Sequence, residues 1–314
     1  MSFFLGIDGG GSKTECVLAD EAGAVLARAA GGGTNLRRVS PAELRATITD
    51  CCEQLRHAAG LRALPLEGVG AGFAGAGDAR ARAIAHEVLA ELLKPRRLTV
   101  VGDMEAALEA AGGAGRGVVL VAGTGSIAYG RNNLGQQARA GGEGPARGDA
   151  GSGFDIGRRA VEAVRRAQDG RGPATRLCES LFTGLEASRV EDLEAKVGAE
   201  SAAELAALVP GVVAAARAGD AVARGILEEA GGALAGLAVD VLRQLGLLDT
   251  DVRVATTGGV FAEAEEIRLE VQKQVRAAAP RARVEPLEAS PAEGAVRLAQ
   301  RLWLEEQPGR AAQP

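Results

Sequence analysis

The run Phe3–Asp8 is short and apolar, ends in Gly9-Gly10-Gly11, and leads into further strand-forming residues instead of a helix. That order decides which phosphate-binding folds are open to the chain. A P-loop needs G-x-x-x-x-G-K-[ST] followed by a helix, and a Rossmann turn needs the helix too. Here Ser12 separates Gly11 from Lys13, and Glu15-Cys16-Val17-Leu18 reads as a strand. The segment Asp8–Thr14 is therefore a tight turn between antiparallel strands. It can be an ordinary glycine hairpin. It can also be an anion site, with backbone N–H groups of Gly10 and Gly11 facing a phosphate and Ser12, Lys13 and Thr14 adding donors.

The pattern then restarts. Gly117–Ala122 is an apolar strand ending in Gly123-Thr124-Gly125-Ser126, followed by a strand-like Ile127–Arg131 and a turn at Asn132–Gly135. Gly123 to Ala128 matches G-x-G-x-x-A, the looser dinucleotide pattern, but Gly130, Asn132, Asn133 and Gly135 deny it the required helix. A second phosphate-binding hairpin is the better reading, and an NAD enzyme is disfavoured. Further glycine clusters fall at 141–153 and, after the strand Val252–Ala255, at Gly258-Gly259. The chain has 45 glycines in 314 residues, but no G-X-Y period and 46% hydrophobic residues, so it can bury a core. The clusters mark strand ends, where α/β proteins place ligands. Strand, turn, strand, strand, helix, occurring twice, reads as an internal duplication whose two halves face each other across a cleft.

The remaining elements follow from local signals. Ser40 and Glu43 form a capping box with Pro41 at the first helical position, opening a helix through Leu44, Ile48 and Leu55 that Gly60 stops. Strands are expected at Ala24–Ala30, Val69–Phe73, Leu98–Gly102 and Arg283–Glu285. Helices are expected at Ala79–Leu93, Met104–Ala111, Phe154–Gln168, Ser188–Lys196, Ala202–Ala218, Ala221–Leu245, from the Gly258-Gly259 turn through Ala278, and Ala292–Leu304, with a frayed tail from Gln307. Two domains are expected, at 1–114 and 115–314, with the last helix packing back on the N-terminal one.

Net charge is −5, so no global basic field attracts nucleic acid. No apolar run approaches the ~20 residues of a membrane span, and Met1–Gly6 lacks the basic and apolar regions of a signal peptide. Cys16, Cys51, Cys52 and Cys178 form no CxxC pair and no zinc spacing with His57 and His86. A cytoplasmic protein is expected. Asp103 follows the strand Leu98–Gly102 and has two readings that coexist: N-cap of the helix from Met104, or general base for a hydroxyl attacking a γ-phosphate.

Asp8-Gly-Gly-Gly-Ser-Lys-Thr, Thr34-Asn35, Gly102-Asp103, Gly123-Thr-Gly-Ser126, Gly148-Asp149-Ala-Gly-Ser152 and Thr257-Gly-Gly-Val-Phe261 occur in that order. The chain resembles the BadF/BadG/BcrA/BcrD-type ATPase and N-acetylglucosamine kinase family, within the actin, hexokinase and heat-shock chaperone superfamily. The resemblance implies two RNase H-like α/β domains with mixed sheets flanked by helices and ATP in the cleft between them. It implies that Gly10, Gly11, Ser12, Lys13 and Thr14 form the first phosphate loop, with Asp8 holding hydrated Mg²⁺. Gly123 and Thr124 would form the second, and Gly258 and Gly259 would lie against the adenosine. An amino sugar would contact Asn35, Asp103, Gly125, Ser126, Gly144 and Asp149, with Asp103 as the base, and a homodimer is implied. The chain departs from many relatives in Glu143, where an aromatic residue is common, in Ala150, where an acid is common, and in Phe73-Ala74-Gly75, which lacks a serine. The family's other branch couples ATP hydrolysis to electron transfer through an iron–sulfur cluster, an arrangement the cysteines here do not match. A non-catalytic sugar sensor is a third possibility, weakened by the retention of Asp103.

Overall fold

A computed structural model of the chain describes residues 2–112, 115–144, 149–184 and 202–305. The expected helix Ser188–Lys196, the frayed tail from Gln307 and Gly148 of the Gly-Asp-Ala-Gly-Ser motif lie outside the described residues. The chain divides into two compact units, Met1–Arg116 with Leu287–Pro314, and Gly117–Pro286.

The first unit is built on a five-stranded mixed sheet of β1 (Phe3–Gly9), β2 (Lys13–Ala19), β3 (Val25–Gly32), β4 (Leu66–Phe73) and β5 (Arg97–Gly102), in the order β3-β2-β1-β4-β5. β1 pairs antiparallel with β2 and parallel with β4. Its residues are buried on both faces, which is why it reads as a continuous apolar run. Phe3, Leu5 and Ile7 join Leu44, Ile48 and Leu55 of the helix Pro41–Ala58 and Ala85, Val88 and Leu89 of the helix Ala79–Leu93. On the other face Phe4 packs edge-on against Trp303, ring centroids 5.5 Å apart, beside Val17, Ala292 and Val296. The expected capping box is formed: Ser40 N–H donates to Glu43 Oε2 at 2.7 Å and Glu43 N–H to Ser40 Oγ at 3.3 Å.

The helix Pro291–Glu305 approaches this second face closely enough to explain why the strands carry glycine there. A Cβ on Gly6 would lie 2.0 Å from the Ala292 carbonyl oxygen, and one on Gly70 would lie 2.0 Å from that of Ala295. β4 starts at Leu66 instead of the expected Val69, Gly68 lowering the strand propensity between them.

The second unit repeats the design. Its strands are β6 (Gly117–Ala122), β7 (Ser126–Arg131), β8 (Gln137–Gly141), β9 (Arg253–Thr257) and β10 (Arg283–Pro286), in the order β10-β9-β6-β7-β8. β6 pairs antiparallel with β7 and parallel with β9, as β1 does with β2 and β4. One strand order used twice gives the internal duplication its structural form. Helices Gly153–Gln168, Val209–Arg217, Ala221–Gln244 and Glu265–Ala278 close the core around Val118, Leu120, Ile156, Leu234 and Val271.

Two expectations are corrected. The helix read as Ala202–Ala218 is two, Ala202–Ala206 and Val209–Arg217, because Pro210 has no N–H and its ring clashes with a carbonyl one turn back. The helix expected from Gly258-Gly259 through Ala278 breaks at Ala264, where φ is −119° and ψ 88°, into Gly259–Glu263 and Glu265–Ala278. The edge strand β8 and the helix Leu177–Gly184 are additional elements. Among the described residues no helix is long and apolar enough to cross a membrane.

Candidate active site

In the first unit, parallel register puts Asp8 opposite Gly72 of β4 and Phe73 opposite Gly102 of β5. A Cβ on Gly72 would lie 3.5 Å from Asp103 Cα, so the helix Asp103–Ala110 starts over the strand neighbouring Asp8. Asp8 and Asp103 thus lie at the carboxyl ends of two parallel strands, β1 and β5, that flank β4 in the sheet. That helix begins at Asp103 itself, which corrects its reading as an N-cap: Gly102 is the cap, and Glu105 Oε1 accepts the Gly102 N–H at 3.2 Å. Asp103 Oδ1 accepts from the N–H of Met104 at 3.0 Å.

The Asp8 carboxyl is pushed up to about 7, first by burial, then by the charges of Asp103 and Glu15, with Lys13 pulling the other way. A buried carboxyl beside like charges is a place that a divalent cation would relieve. Among the described residues no three Asp, Glu, His or Cys side chains are placed to enclose a metal ion. Mg²⁺ does not require such a cage, since it is commonly held through one or two carboxylates, waters and substrate phosphates. The residues present therefore fit a hydrated Mg²⁺ on Asp8.

The turn after β1 is a hairpin, closed by Gly10 N–H to the Lys13 carbonyl at 2.9 Å, with no helix behind it. Ser12 and Lys13 are exposed. Thr14 is fully buried, and its hydroxyl donates to the Gly32 carbonyl at 2.6 Å and lies 2.8 Å from Thr34 Oγ1. That side chain braces the turn from behind. Thr34 N–H in turn donates to the Gly10 carbonyl at 3.0 Å, which fixes the segment leading to Asn35. Asn35 Oδ1 accepts from Arg37 N–H at 3.0 Å, leaving its NH₂ as the group a ligand can use.

In the second unit the turn Gly123–Gly125 joins β6 to β7, with Gly123 N–H donating to the Gly125 carbonyl at 2.9 Å. Gly153 N–H returns to the Gly123 carbonyl at 2.8 Å, and the buried Ser126 hydroxyl donates to the Ala150 carbonyl at 2.8 Å. Ser126 so ties the segment 149–153 to the turn. That segment presents Asp149 with φ +32°, a conformation non-glycine residues rarely adopt and hold at a cost of about 1–3 kcal/mol. Burial raises the Asp149 pKa; the Gly144 N–H, 3.1 Å from Oδ1, opposes this, and the Glu143 charge adds to it.

Gly125 is fixed by this arrangement, because a Cβ there would fall 2.6 Å from Asp149 Oδ2. A methyl at Gly125 is therefore expected to displace the Asp149 carboxylate. Gly258 ends β9 with φ +108° and lies against the β6 backbone, its virtual Cβ 2.3 Å from the Ala122 carbonyl oxygen. A side chain at Gly123 or Gly259 would meet nothing within 4 Å, so their smallness leaves open space instead of serving the packing.

Asp155 is a site residue that the sequence reading passed over. It is buried and accepts from Gly151 N–H at 3.1 Å, Arg158 Nη2 at 2.8 Å and Arg159 Nε at 3.0 Å, gripping the far side of the Asp149 turn. Ser152-x-x-Asp155 with Arg159 four residues on is the signal that could have found it. Burial raises its pKa, but Arg159, the Gly151 N–H and Arg158 outweigh that and hold it below its ordinary 3.8. A carboxylate depressed in the folded state stabilises above its unfolded pKa and loses that contribution as pH falls toward the folded value. Asp155→Asn is therefore expected to lower Tm at pH 7, with the gap to wild type narrowing below about pH 4 in calorimetric scans. A gap independent of pH would contradict the assignment.

The BadF/BadG/BcrA/BcrD ATPase family model matches residues 5–299. The chain belongs to this family. It is 31% identical over 303 residues to an N-acetylmuramic acid/N-acetylglucosamine kinase of Clostridium acetobutylicum, covering 95% of this chain and 98% of that one. It is 29% identical over 310 residues to an N-acetyl-D-glucosamine kinase of Dictyostelium discoideum, covering 94% and 97%. Among solved structures, a candidate N-acetylglucosamine kinase of Chromobacterium violaceum superposes with a TM-score of 0.77 at 28% identity, covering 95% of this chain and 99% of that one. The fold of two RNase H-like units is thus one that the family shares with sugar kinases.

Proposed function

We propose that this chain is an ATP-dependent kinase that transfers the γ-phosphoryl group to a hydroxyl of an amino sugar, N-acetylglucosamine, giving its 6-phosphate. The observation that carries the reading is the placement of Asp103 and Asp8 at the carboxyl ends of β5 and β1, the two parallel strands flanking β4, in a chain similar over nearly its whole length to two N-acetylhexosamine kinases. Backbone N–H groups of Gly11, Ser12 and Thr124 take the phosphates, those of Gly10 and Gly123 closing their own turns instead, with Ser12 and Lys13 as exposed side-chain donors, and Gly258-Gly259 takes the adenosine. Asn35, Gly125, Gly144 and Asp149 orient the sugar, with Ser126 supporting them and Thr14 supporting the first turn. Asp103 accepts the proton of the attacking hydroxyl. Positioning and charge stabilisation supply most of the rate in such a transfer. Asp8 would hold Mg²⁺ through water, and the bound ion would offset charge on the transferring phosphoryl group. The protein is cytoplasmic on this reading, and a homodimer, the latter as the family resemblance implies.

The test is ADP release from Mg-ATP with N-acetylglucosamine, glucosamine, N-acetylmannosamine, N-acetylmuramic acid and glucose. N-acetylglucosamine is expected to stimulate release most, and omission of Mg²⁺ to abolish it. Absence of stimulation by every sugar would refute the kinase reading.

A further inference from the structure

The helix that carries Asp103 spans Asp103–Ala110 and is too short to be stable by itself, so its position comes from what it packs against. That partner is the helix Pro291–Glu305. Gly294 lies so close that a Cβ there would be 2.0 Å from the Ala106 carbonyl oxygen and 2.5 Å from the Ala110 nitrogen. One turn on, Arg297 Nη1 donates to the Ala110 carbonyl at 2.7 Å. One further turn on, Arg301 Nη2 donates to Oε1 of Glu109 at 2.6 Å. The Glu109 side chain is 3% exposed, so its charge is balanced chiefly inside the protein. Residues 294, 297 and 301 share one helical face, and all three engage the helix that begins with Asp103.

We propose that the C-terminal helix sets the position of Asp103 through the Arg301–Glu109 ion pair, which makes Arg301 and Glu109 positioning residues for phosphoryl transfer. The proposal rests on the kinase reading given above. Glu109 lies six residues, about 9 Å along the axis, from Asp103. A helix this short moves as one piece, so a tilt at its C-terminal end displaces the carboxylate at its start. Displacements of about 1 Å at a reacting group can lower rates by about 10²-fold. Neither residue has to reach substrate for this to operate.

The test compares kcat and both KM values of the full chain in Arg301→Ala, Arg301→Lys, Glu109→Gln and the Arg301→Ala/Glu109→Gln double variant. Arg301→Ala and Glu109→Gln are each expected to lower kcat by about 10-fold or more, with both KM values changed by no more than about twofold. The double variant should be no worse than the poorer single one, because one interaction is lost in each. Arg301→Lys keeps the charge and should recover most of the rate, and Glu109→Gln serves if Arg301→Ala does not fold. Leu55→Ala, fully buried in the opposite core of the same unit, supplies a destabilised control expected to keep kcat at temperatures where it is folded. Wild-type activity combined with unchanged kcat in Glu109→Gln and Arg301→Ala, or with kcat reduced equally in Leu55→Ala at matched Tm, would overturn the proposal. Lack of sugar-dependent activity in the wild type would instead overturn the kinase reading.

Discussion

Asp103→Asn is expected to lower kcat by at least ~10²-fold, because general-base assistance contributes about 10²–10⁴-fold and asparagine cannot accept the proton. The amide keeps the shape of the side chain, and the cap of its helix belongs to Gly102 and Glu105, so the fold should tolerate the change. KM for the sugar should stay near the wild-type value, since an interaction made in the transition state is lost while ground-state contacts remain. Tm should hold or rise slightly, because the Asp103 charge, which after burial is what lifts the Asp8 pKa, is removed. A rate near that of wild type would remove Asp103 from the chemistry and leave it a residue of the first helical turn.

Gly70→Ala is expected to lower stability by about 1–3 kcal/mol or more, the cost of forcing volume into a packed interior. The added methyl would meet the Ala295 oxygen at 2.0 Å and its carbonyl carbon at 2.8 Å, and a helix backbone cannot rotate out of the way as a side chain can. Relief requires the C-terminal helix to lift from β1 and β4, which also disturbs the Phe4–Trp303 contact. A fall of several degrees in Tm should therefore accompany a change in tryptophan emission, since the chain has one Trp. The same substitution at Gly236, inside the helix Ala221–Gln244 with nothing within 4 Å, should stabilise by about 0.5–1 kcal/mol. If Gly70→Ala proved neutral, the close approach of helix to sheet would be wrong.

The parts of this fold governed by local chemistry were legible in the residues. Both glycine hairpins, the Ser40–Glu43 capping box and the absence of a helix after either turn follow from spacing alone. The break at Pro210 was equally local, and reading an alanine-rich run as one helix overlooked it. Other features have no local signal. Ala264 is a good helix former that interrupts a helix because it is buried at a chain bend. β8 is a short edge strand alternating small and polar residues, a pattern that turns share. Gly6 and Gly70 weaken their strands for the sake of a helix more than 200 residues later, which no window along the chain can display.

The candidate site divides in the same way. Asp8, Asp103 and the two turns stand out because glycine and acid at a strand end have few other uses. Thr14 and Ser126 look like ligand donors in sequence, yet their hydroxyls are bonded to the carbonyls of Gly32 and Ala150. Their place is behind the site, where they hold the backbone that faces it. Asp155 escaped notice because a carboxylate in a first helical turn is common, and its grip on Gly151 exists only in three dimensions.

The most direct test of phosphoryl transfer to a sugar is a ³¹P NMR time course with Mg-ATP and N-acetylglucosamine in one tube. The γ-phosphate resonance should disappear as ADP forms, replaced in equal amount by a sugar phosphate monoester coupled to the C6 methylene protons. Growth of inorganic phosphate in its place, independent of the sugar, would make the protein an ATPase and contradict the account.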